Sequence, residues 1–141
     1  MLSDAIIAGS WAGVLSGVPS TAHALATGRD PLAATKAAGA ILLPRSGRTL
    51  PLVLAAVPVH VGISVGWALI LDRAGVRDPV RGVAAGLAIA ALDLGVVGRR
   101  FGRVRALPLG AQVLDHVAYG AVVGLVLGRR GRDSYRGADG G

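Results

Sequence analysis

The chain has 141 residues, of which 52% are hydrophobic and 16% charged, whereas about a quarter of the residues of a typical soluble domain are charged. A net charge of +7 would indicate nucleic acid as the partner of a soluble protein. Here the arginines flank apolar runs, so we expect a lipid bilayer as the partner and no nucleic acid. The absence of cysteine excludes disulfides and cysteine-ligated zinc or iron–sulfur centres.

Four apolar segments follow one another along the chain, and they are predicted to be helices at residues 5–25, 50–71, 80–98 and 109–128. Crossing the hydrocarbon core of a bilayer takes about 20 helical residues, so three segments are long enough and the third is short. The sequence therefore predicts an all-α integral membrane bundle of four transmembrane helices, forming a single domain over residues 1–128.

A short helix is predicted at residues 31–44, between the first two spans. Pro31 suits a first helical turn and Pro44 ends the segment. The segment is too short to span and carries Lys36, so we expect a re-entrant or interfacial helix; if it does span, the protein has five spans. After the fourth span, residues 129–141 are rich in Gly and Arg and are predicted to form a disordered basic tail.

The distribution of the 15 basic residues gives little information on orientation, because seven lie at one end of the four predicted spans and eight at the other. The loop Arg99–Arg105 contains no acidic residue and is the best candidate for a cytoplasmic loop. We expect a multi-pass protein of the bacterial cytoplasmic (inner) membrane.

Glycines recur at four-residue spacing in every span. Small residues at this spacing share one helix face and let two backbones approach closely. They predict helix packing within one bundle or, for one or two faces, between the subunits of a homo-oligomer or a larger membrane complex. These glycines are Gly9, Gly13, Gly17, Gly62, Gly66, Gly82, Gly86, Gly120, Gly124 and Gly128.

The fourth span contains the most specific pattern, QVLDHVAYG. Gln112, Asp115, His116 and Tyr119 are spaced so that they form one polar stripe on a helix. Asp115 is expected to accept a hydrogen bond from Tyr119 or from a histidine on another helix. The stripe is either a structural network between helices or a proton relay, ion site or ligand site; charged residues inside a membrane favour a function.

Asp93 in the third span lies seven residues after Gly86, on the face that carries the glycines. We therefore expect it to point towards a neighbouring helix, unless it pairs with Arg99 or Arg100 near the span end.

His60 in the second span shares a stripe with Ser64 and Trp67. It is either a neutral, hydrogen-bonded interior residue or part of a polar site. Trp67 is expected at the membrane interface.

Asp93 and His116 are expected at the same depth, roughly 8–10 Å from one membrane face at about 1.5 Å per residue, with His60 at roughly 15 Å. The polar intramembrane site predicted from these positions consists of His60, Asp93, Gln112, Asp115, His116 and Tyr119. Its predicted pocket opens towards the face that carries Arg99–Arg105. The residues expected to line the pocket are Ser20, His23, Lys36 and Ser64.

We predict no cofactor, no metal and no catalytic residues. His60 and His116 would suit a haem with two histidine ligands, but two Trp, two Tyr and one Phe are few for a haem pocket. His23, His60, His116, Asp93 and Asp115 are suitable metal ligands, but none forms a tight local motif. No nucleophile–base pair is evident, so an enzyme is the least supported class.

The blocks SGVPSTAHAL, GRDPLAATKAAGAILLP and DHVAYG resemble those of small, uncharacterised actinobacterial multi-pass membrane proteins. The histidine–tyrosine–glycine ending of the fourth span is also similar to the YagU-type bacterial inner-membrane proteins. Neither resemblance implies a reaction or a set of site residues.

Two functions therefore remain open. The first is proton- or cation-coupled transport or permeation through the polar site. The second is a structural or accessory role, in which the glycine-rich helix faces dock to a larger complex or to lipids.

Overall fold

The chain folds into an all-α bundle, as the computed structural model shows for residues 2–138, with side chains described up to Arg132. No strand occurs among the described residues, so the predicted fold class is confirmed. The helices are α1 (Leu2–Leu15), α2 (Val18–Ala26), α3 (Ala33–Gly39), α4 (Thr49–Arg73), α5 (Pro79–Leu92), α6 (Gly102–Arg105) and α7 (Leu109–Ala138).

Four helical stretches of the described chain are long and apolar enough to cross a membrane: Leu2–Ala26, Thr49–Arg73, Pro79–Arg100 and Leu109–Arg132. The third has 22 residues and is longer than predicted. It starts at Pro79 because Asp78 caps it, its Oδ1 accepting a hydrogen bond from the Arg81 amide at 2.9 Å. It continues beyond α5 through a π-helical turn, Asp93–Val97, and a 3₁₀ turn, Gly98–Arg100.

The first span is broken in the middle, where Ser16 and Gly17 separate α1 from α2. Pro19 explains the break. It has no amide hydrogen to donate to the Leu15 carbonyl, and its ring would clash with that carbonyl in a continuous helix.

The four spans neighbour one another in the order α4, α1, α7, α5, and α2 also packs on α7. Asp4 on α1 and Arg130 on α7 form an ion pair at 2.5 Å, so these two residues lie at the same end of the bundle, called here the terminal end. The opposite end, the basic-loop end, consists of residues 27–48 and 101–108. There α3 packs against the start of α4 and against α6.

Large apolar side chains face outward, while the helix contacts are made mostly by small residues. Ala5, Ala8, Ala12 and Ala68 are fully buried, whereas Val14 is 75% and Val80 79% exposed. In lipid no hydrophobic force drives helices together, so close approach through small residues supplies the packing. The outer surface is therefore suited to acyl chains.

Five of the predicted packing glycines form one seam between α5 and α7: Gly82, Gly86, Gly120, Gly124 and Gly128. A Cβ on any of them would overlap a backbone carbonyl oxygen of the opposing segment. On α1, a Cβ at Gly9 or Gly13 would lie 2.7–2.8 Å from an oxygen of Ser64 on α4.

The packing prediction does not hold within this chain for Gly17, Gly62 and Gly66, since a Cβ on these residues would meet nothing within 4 Å. Helix α4 turns its Ser64 and Ala68 face, not its glycine face, towards α1. Spacing along one helix does not reveal which face meets a neighbour.

Two segments differ in length from their predictions. Helix α3 covers Ala33–Gly39 and not residues 31–44, because the Asp30 carboxylate accepts the Leu32 amide at 2.8 Å and a turn precedes the helix. Helix α7 continues over residues 129–138, where the sequence predicts disorder; arginine is a good helix former, and Arg130 is held by Asp4. Residues 139–141 of the predicted tail lie outside the described residues.

Candidate functional site

A cavity of about 220 Å³ lies between the α1–α2 break, α3, α4, the π-turn and α7. The structure brings all six residues of the predicted polar site to its wall: His60, Asp93, Gln112, Asp115, His116 and Tyr119. Ser20 and Ser64 also line it. Side chains that are far apart in sequence, such as Ser20 and Tyr119, thus share one interior space.

Asp93 and His116 form the central pair of this cavity, with 3.5 Å between Asp93 Oδ2 and His116 Nε2. Asp93 is the first residue of the π-turn, a distortion that often occurs at functional sites. Its ion-pair partner is the histidine of the neighbouring helix, and not Arg99 or Arg100 at the end of its own span.

The tautomer of His116 follows from its other contact. Its Nδ1 lies 2.7 Å from the Gln112 carbonyl oxygen, which can only accept, so Nδ1 carries a hydrogen. Nε2 then faces the Asp93 carboxyl group. One proton fits between these two groups, either on Nε2 of an imidazolium or on a protonated carboxyl, and the pair is neutral in both cases.

Asp115 is bound to the broken first span. Its Oδ1 accepts a hydrogen bond of 2.8 Å from the backbone amide of Ser20, the third residue of α2. Amides in the first turn of a helix have no partner inside the helix, and the positive end of the helix dipole favours a carboxylate there. The break caused by Pro19 therefore creates the donor that holds Asp115.

Tyr119 does not bind Asp115, contrary to the sequence expectation. Its hydroxyl donates to the backbone carbonyl of Ser64, and both residues are buried. This hydrogen bond joins α7 to α4 beneath the cavity.

Helix α4 contributes His60 and Trp67 to the wall. Trp67 is partly buried and packs against the core cluster of the bundle. Its expected position at the membrane interface stays a prediction.

Two of the residues predicted to line the pocket lie elsewhere. Lys36 forms an ion pair with Asp30 and does not line the cavity. The Lys36 hydrogen bond, together with the Leu32 amide, holds the pKa of Asp30 below its usual value. His23 lines a smaller neighbouring cavity of about 80 Å³, which shares Ser20 and Gln112 with the main one.

The lining of the main cavity contains two aspartates and two histidines but neither Lys nor Arg. Among the described residues, no group of three or more His, Asp or Glu side chains lies close enough to hold a metal ion. The site is therefore suited to protons and to positively charged groups that need no tight coordination shell.

The segment 31–44 was expected to contribute Lys36 to the pocket, whereas the residues of α3 that line the cavity include Ala34, Thr35 and Ala38. These residues carry no charge or motif that would single them out. Sequence reasoning also missed the Ser20 amide as a partner of Asp115, although Pro19 signals an interrupted helix with free amides.

The chain matches no protein-family model, no curated protein and no solved structure. What the chain itself shows is an all-α bundle whose four long apolar helices are compatible with a multi-pass membrane protein.

Proposed function

We propose that the chain is a multi-pass protein of the bacterial cytoplasmic membrane that carries out proton- or cation-coupled transport through its interior cavity. The observation that carries this proposal is the gathering of Asp93, His116, Asp115 and His60 around one cavity in a bundle with an apolar outside. An aspartate near the middle of a spanning helix costs roughly 2.5–3.5 kcal/mol on insertion scales, so such residues mark ion and proton pathways more often than a surface aspartate does.

The Asp93–His116 pair supports the proposal that the coupling ion is a proton. The pair is neutral with one proton and negative without it, and imidazole changes its charge near neutral pH. Gln112 fixes the ring so that the titrating nitrogen faces the carboxyl group. A proton relay needs such a fixed geometry.

Access to the cavity is expected from the basic-loop end, where Pro31, Val104 and Leu107 belong to its wall. Towards the terminal end, the buried side chains of Val123 and Leu127 close the bundle. Transport then requires a movement that opens the cavity towards the terminal end. The break between α1 and α2 and the π-turn interrupt the regular α-helical hydrogen bonding of two spans, so a movement is expected at these two places.

The basic-loop end is proposed to face the cytoplasm. It contains six Lys and Arg residues and a single acidic residue, Asp30. At the terminal end, three described aspartates are paired with Arg130, Arg77 and Arg81. The negative surface of the cytoplasmic leaflet attracts the less neutralised end. The resemblance to actinobacterial and YagU-type inner-membrane proteins supports the same membrane.

The test is proton or cation flux into proteoliposomes containing the wild type, Asp93→Asn or Asp115→Asn. Asparagine keeps an acceptor for the Ser20 amide and a polar partner for His116, so both variants are expected to fold. We expect flux to fall by about tenfold or more in each, because the variants lose a group that must carry charge. Asp78→Asn is the matched control: asparagine caps a helix as well as aspartate does, and Asp78 lies outside the cavity. Equal flux in all four proteins, or none above empty liposomes, would refute transport.

A second candidate function is that of an accessory protein that binds another copy or a larger membrane complex. It is supported by Gly62 and Gly66, which form an unpacked small-residue face on α4. Sedimentation in detergent would compare the wild type with Gly62→Leu, which fills this face. A smaller assembly for the variant supports this function; an unchanged size counts against it.

A further inference from the structure

The charge of the cavity wall selects what can enter. Its ionisable side chains are His60 from α4, Asp93 from the π-turn, and Asp115, His116 and Tyr119 from α7. The segments α1, α2, α3 and α6 add only neutral residues to the wall, since Lys36 is turned away to Asp30. With no fixed cation to balance it, the wall repels anions and attracts cations.

The net charge of the cavity follows from the contacts of its ionisable side chains. With one shared proton, the Asp93–His116 pair is neutral. Free histidine is neutral above about pH 6.5, and His60 is counted here in that form. Asp115 is stabilised as a carboxylate by the Ser20 amide at the start of α2. The cavity then carries one negative charge. When the pair loses its proton, the cavity carries two.

The aromatic residues and the volume of the cavity narrow the choice of ligand further. Trp67 and Tyr119 contribute to the wall, and the face of an aromatic ring attracts organic cations, with tryptophan the most effective. A volume of about 220 Å³ is below the range of about 300–1,000 Å³ that holds drug-sized ligands. A cation of a few heavy atoms fits this space.

We infer that the cavity binds a small monovalent organic cation, of the alkylammonium or guanidinium class, in exchange for the proton shared by Asp93 and His116. This inference rests on the proposed transport function and names its cargo. The exchange is balanced: one cation enters from water, one proton leaves to water through the same cavity, and the net charge inside stays at minus one. Asp115 remains the fixed counter-charge throughout.

The two aspartates consequently have different expected roles. Asp115 holds the cation, so its removal weakens binding at every pH. Asp93 couples binding to the proton because its carboxylate favours a proton on His116, so its removal moves the pH dependence of binding to lower pH. No structural role shared by both residues produces these two separate effects.

Trp67 offers a direct probe of binding. The chain has two tryptophans, and Trp11 lies 58% exposed on the outer surface of α1, so Trp11→Phe leaves the cavity tryptophan as the single reporter. Its fluorescence is recorded in detergent while guanidinium, tetramethylammonium or urea is added at millimolar concentration. Urea is the neutral, planar control for guanidinium.

We expect both cations to change the fluorescence at a saturable concentration and urea to leave it unchanged. Cation affinity should rise with pH as the proton leaves the pair. In the Trp11→Phe background, Asp115→Asn should weaken binding by about tenfold or more, Asp93→Asn should move the pH dependence of the affinity to lower pH, and Asp78→Asn should change neither.

Three results would overturn the inference: an equal response to urea, an affinity unchanged by Asp115→Asn, or no response to either cation in a folded protein. Proton flux that depends on the aspartates, without cation binding, would refute the cargo and leave the transport function standing. Cation binding without flux in any protein would refute transport and retain the cation site.

Discussion

Helix α7 has two halves that meet their neighbours in opposite ways. Between Gln112 and Tyr119 it borders the cavity, and from Gly120 to Gly128 it lies against the backbone of the α5 segment with no space for a Cβ. The first half is held by hydrogen bonds and an ion pair, the second by close backbone contact. In a membrane, apolar surface alone does not bring helices together. Polar contacts and close backbone packing are therefore both needed for a tightly packed helix pair to lie beside an open cavity.

The two halves are joined at His116. A Cβ on Gly86 would overlap the carbonyl oxygen of His116, while the imidazole of the same residue faces Asp93. The seam between α5 and α7 therefore fixes the position of α7, which carries His116. The site also leaves no buried polar side-chain atom of the described residues without a hydrogen-bond partner.

The largest expected effect comes from breaking the seam. Gly120→Ala places a methyl group on the Gly82 carbonyl oxygen, and since that atom belongs to a backbone, the helices themselves must move apart. We expect a loss of at least about 1–3 kcal/mol in the free energy of unfolding, the usual cost of overpacking. Thermal unfolding in detergent, followed by circular dichroism, measures the loss.

Gly62→Ala and Gly66→Ala are the matched controls, because a Cβ at either position meets nothing within 4 Å. Alanine is the better helix former by about 0.5–1 kcal/mol, so these variants should be as stable as the wild type or slightly more stable. A Gly120→Ala protein as stable as Gly62→Ala would contradict the seam.

A smaller effect is expected from the hydrogen bond that links the cavity half of α7 to α4. Tyr119→Phe removes the hydroxyl that donates to the Ser64 carbonyl and leaves the ring in place. Because that carbonyl also lies within α4, it is not left unpaired, and the expected cost is about 0.5–1.5 kcal/mol. A melting temperature equal to that of the wild type would show that the bond contributes nothing.

The smallest effect is expected at Lys36 and Asp30, outside the cavity. The depressed pKa of Asp30 means that its ion pair stabilises the fold above the unfolded value, about pH 3.9, and that this contribution is lost as the pH falls through the lower folded value. Since Asp30 is exposed, Lys36→Met should change the melting temperature little at neutral pH. Its flux should equal that of the wild type. A large loss of flux would indicate that Lys36 belongs to the functional site.

The sequence was sufficient to predict the four spans, because length and hydropathy decide them. It also placed the QVLDHVAYG stripe and the equal depth of Asp93 and His116, since helical rise and periodicity are fixed. These two residues do meet in the structure.

Contacts that depend on the rotation of one helix against another were not predictable. The partner of Asp115 proved to be a backbone amide, and the partner of Tyr119 a backbone carbonyl, neither of which has a sequence signature. The same uncertainty in rotation explains why Gly62 was expected at a contact that Ser64 makes instead. The π-turn at Asp93 gives no signal in the hydropathy pattern either.

The most direct test of the account compares the reactivity of two single cysteines in proteoliposomes, since the natural chain has none. Ser20→Cys places a thiol in the cavity wall, and Leu114→Cys places one on the outer face of α7, where the native side chain is 57% exposed. Only a thiolate in contact with water reacts with a small charged thiol reagent. The account predicts rapid labelling of Ser20→Cys and almost none of Leu114→Cys, because acyl chains cover the latter. Labelling of Leu114→Cys at the same or a higher rate would contradict a water-accessible cavity inside a membrane-embedded bundle.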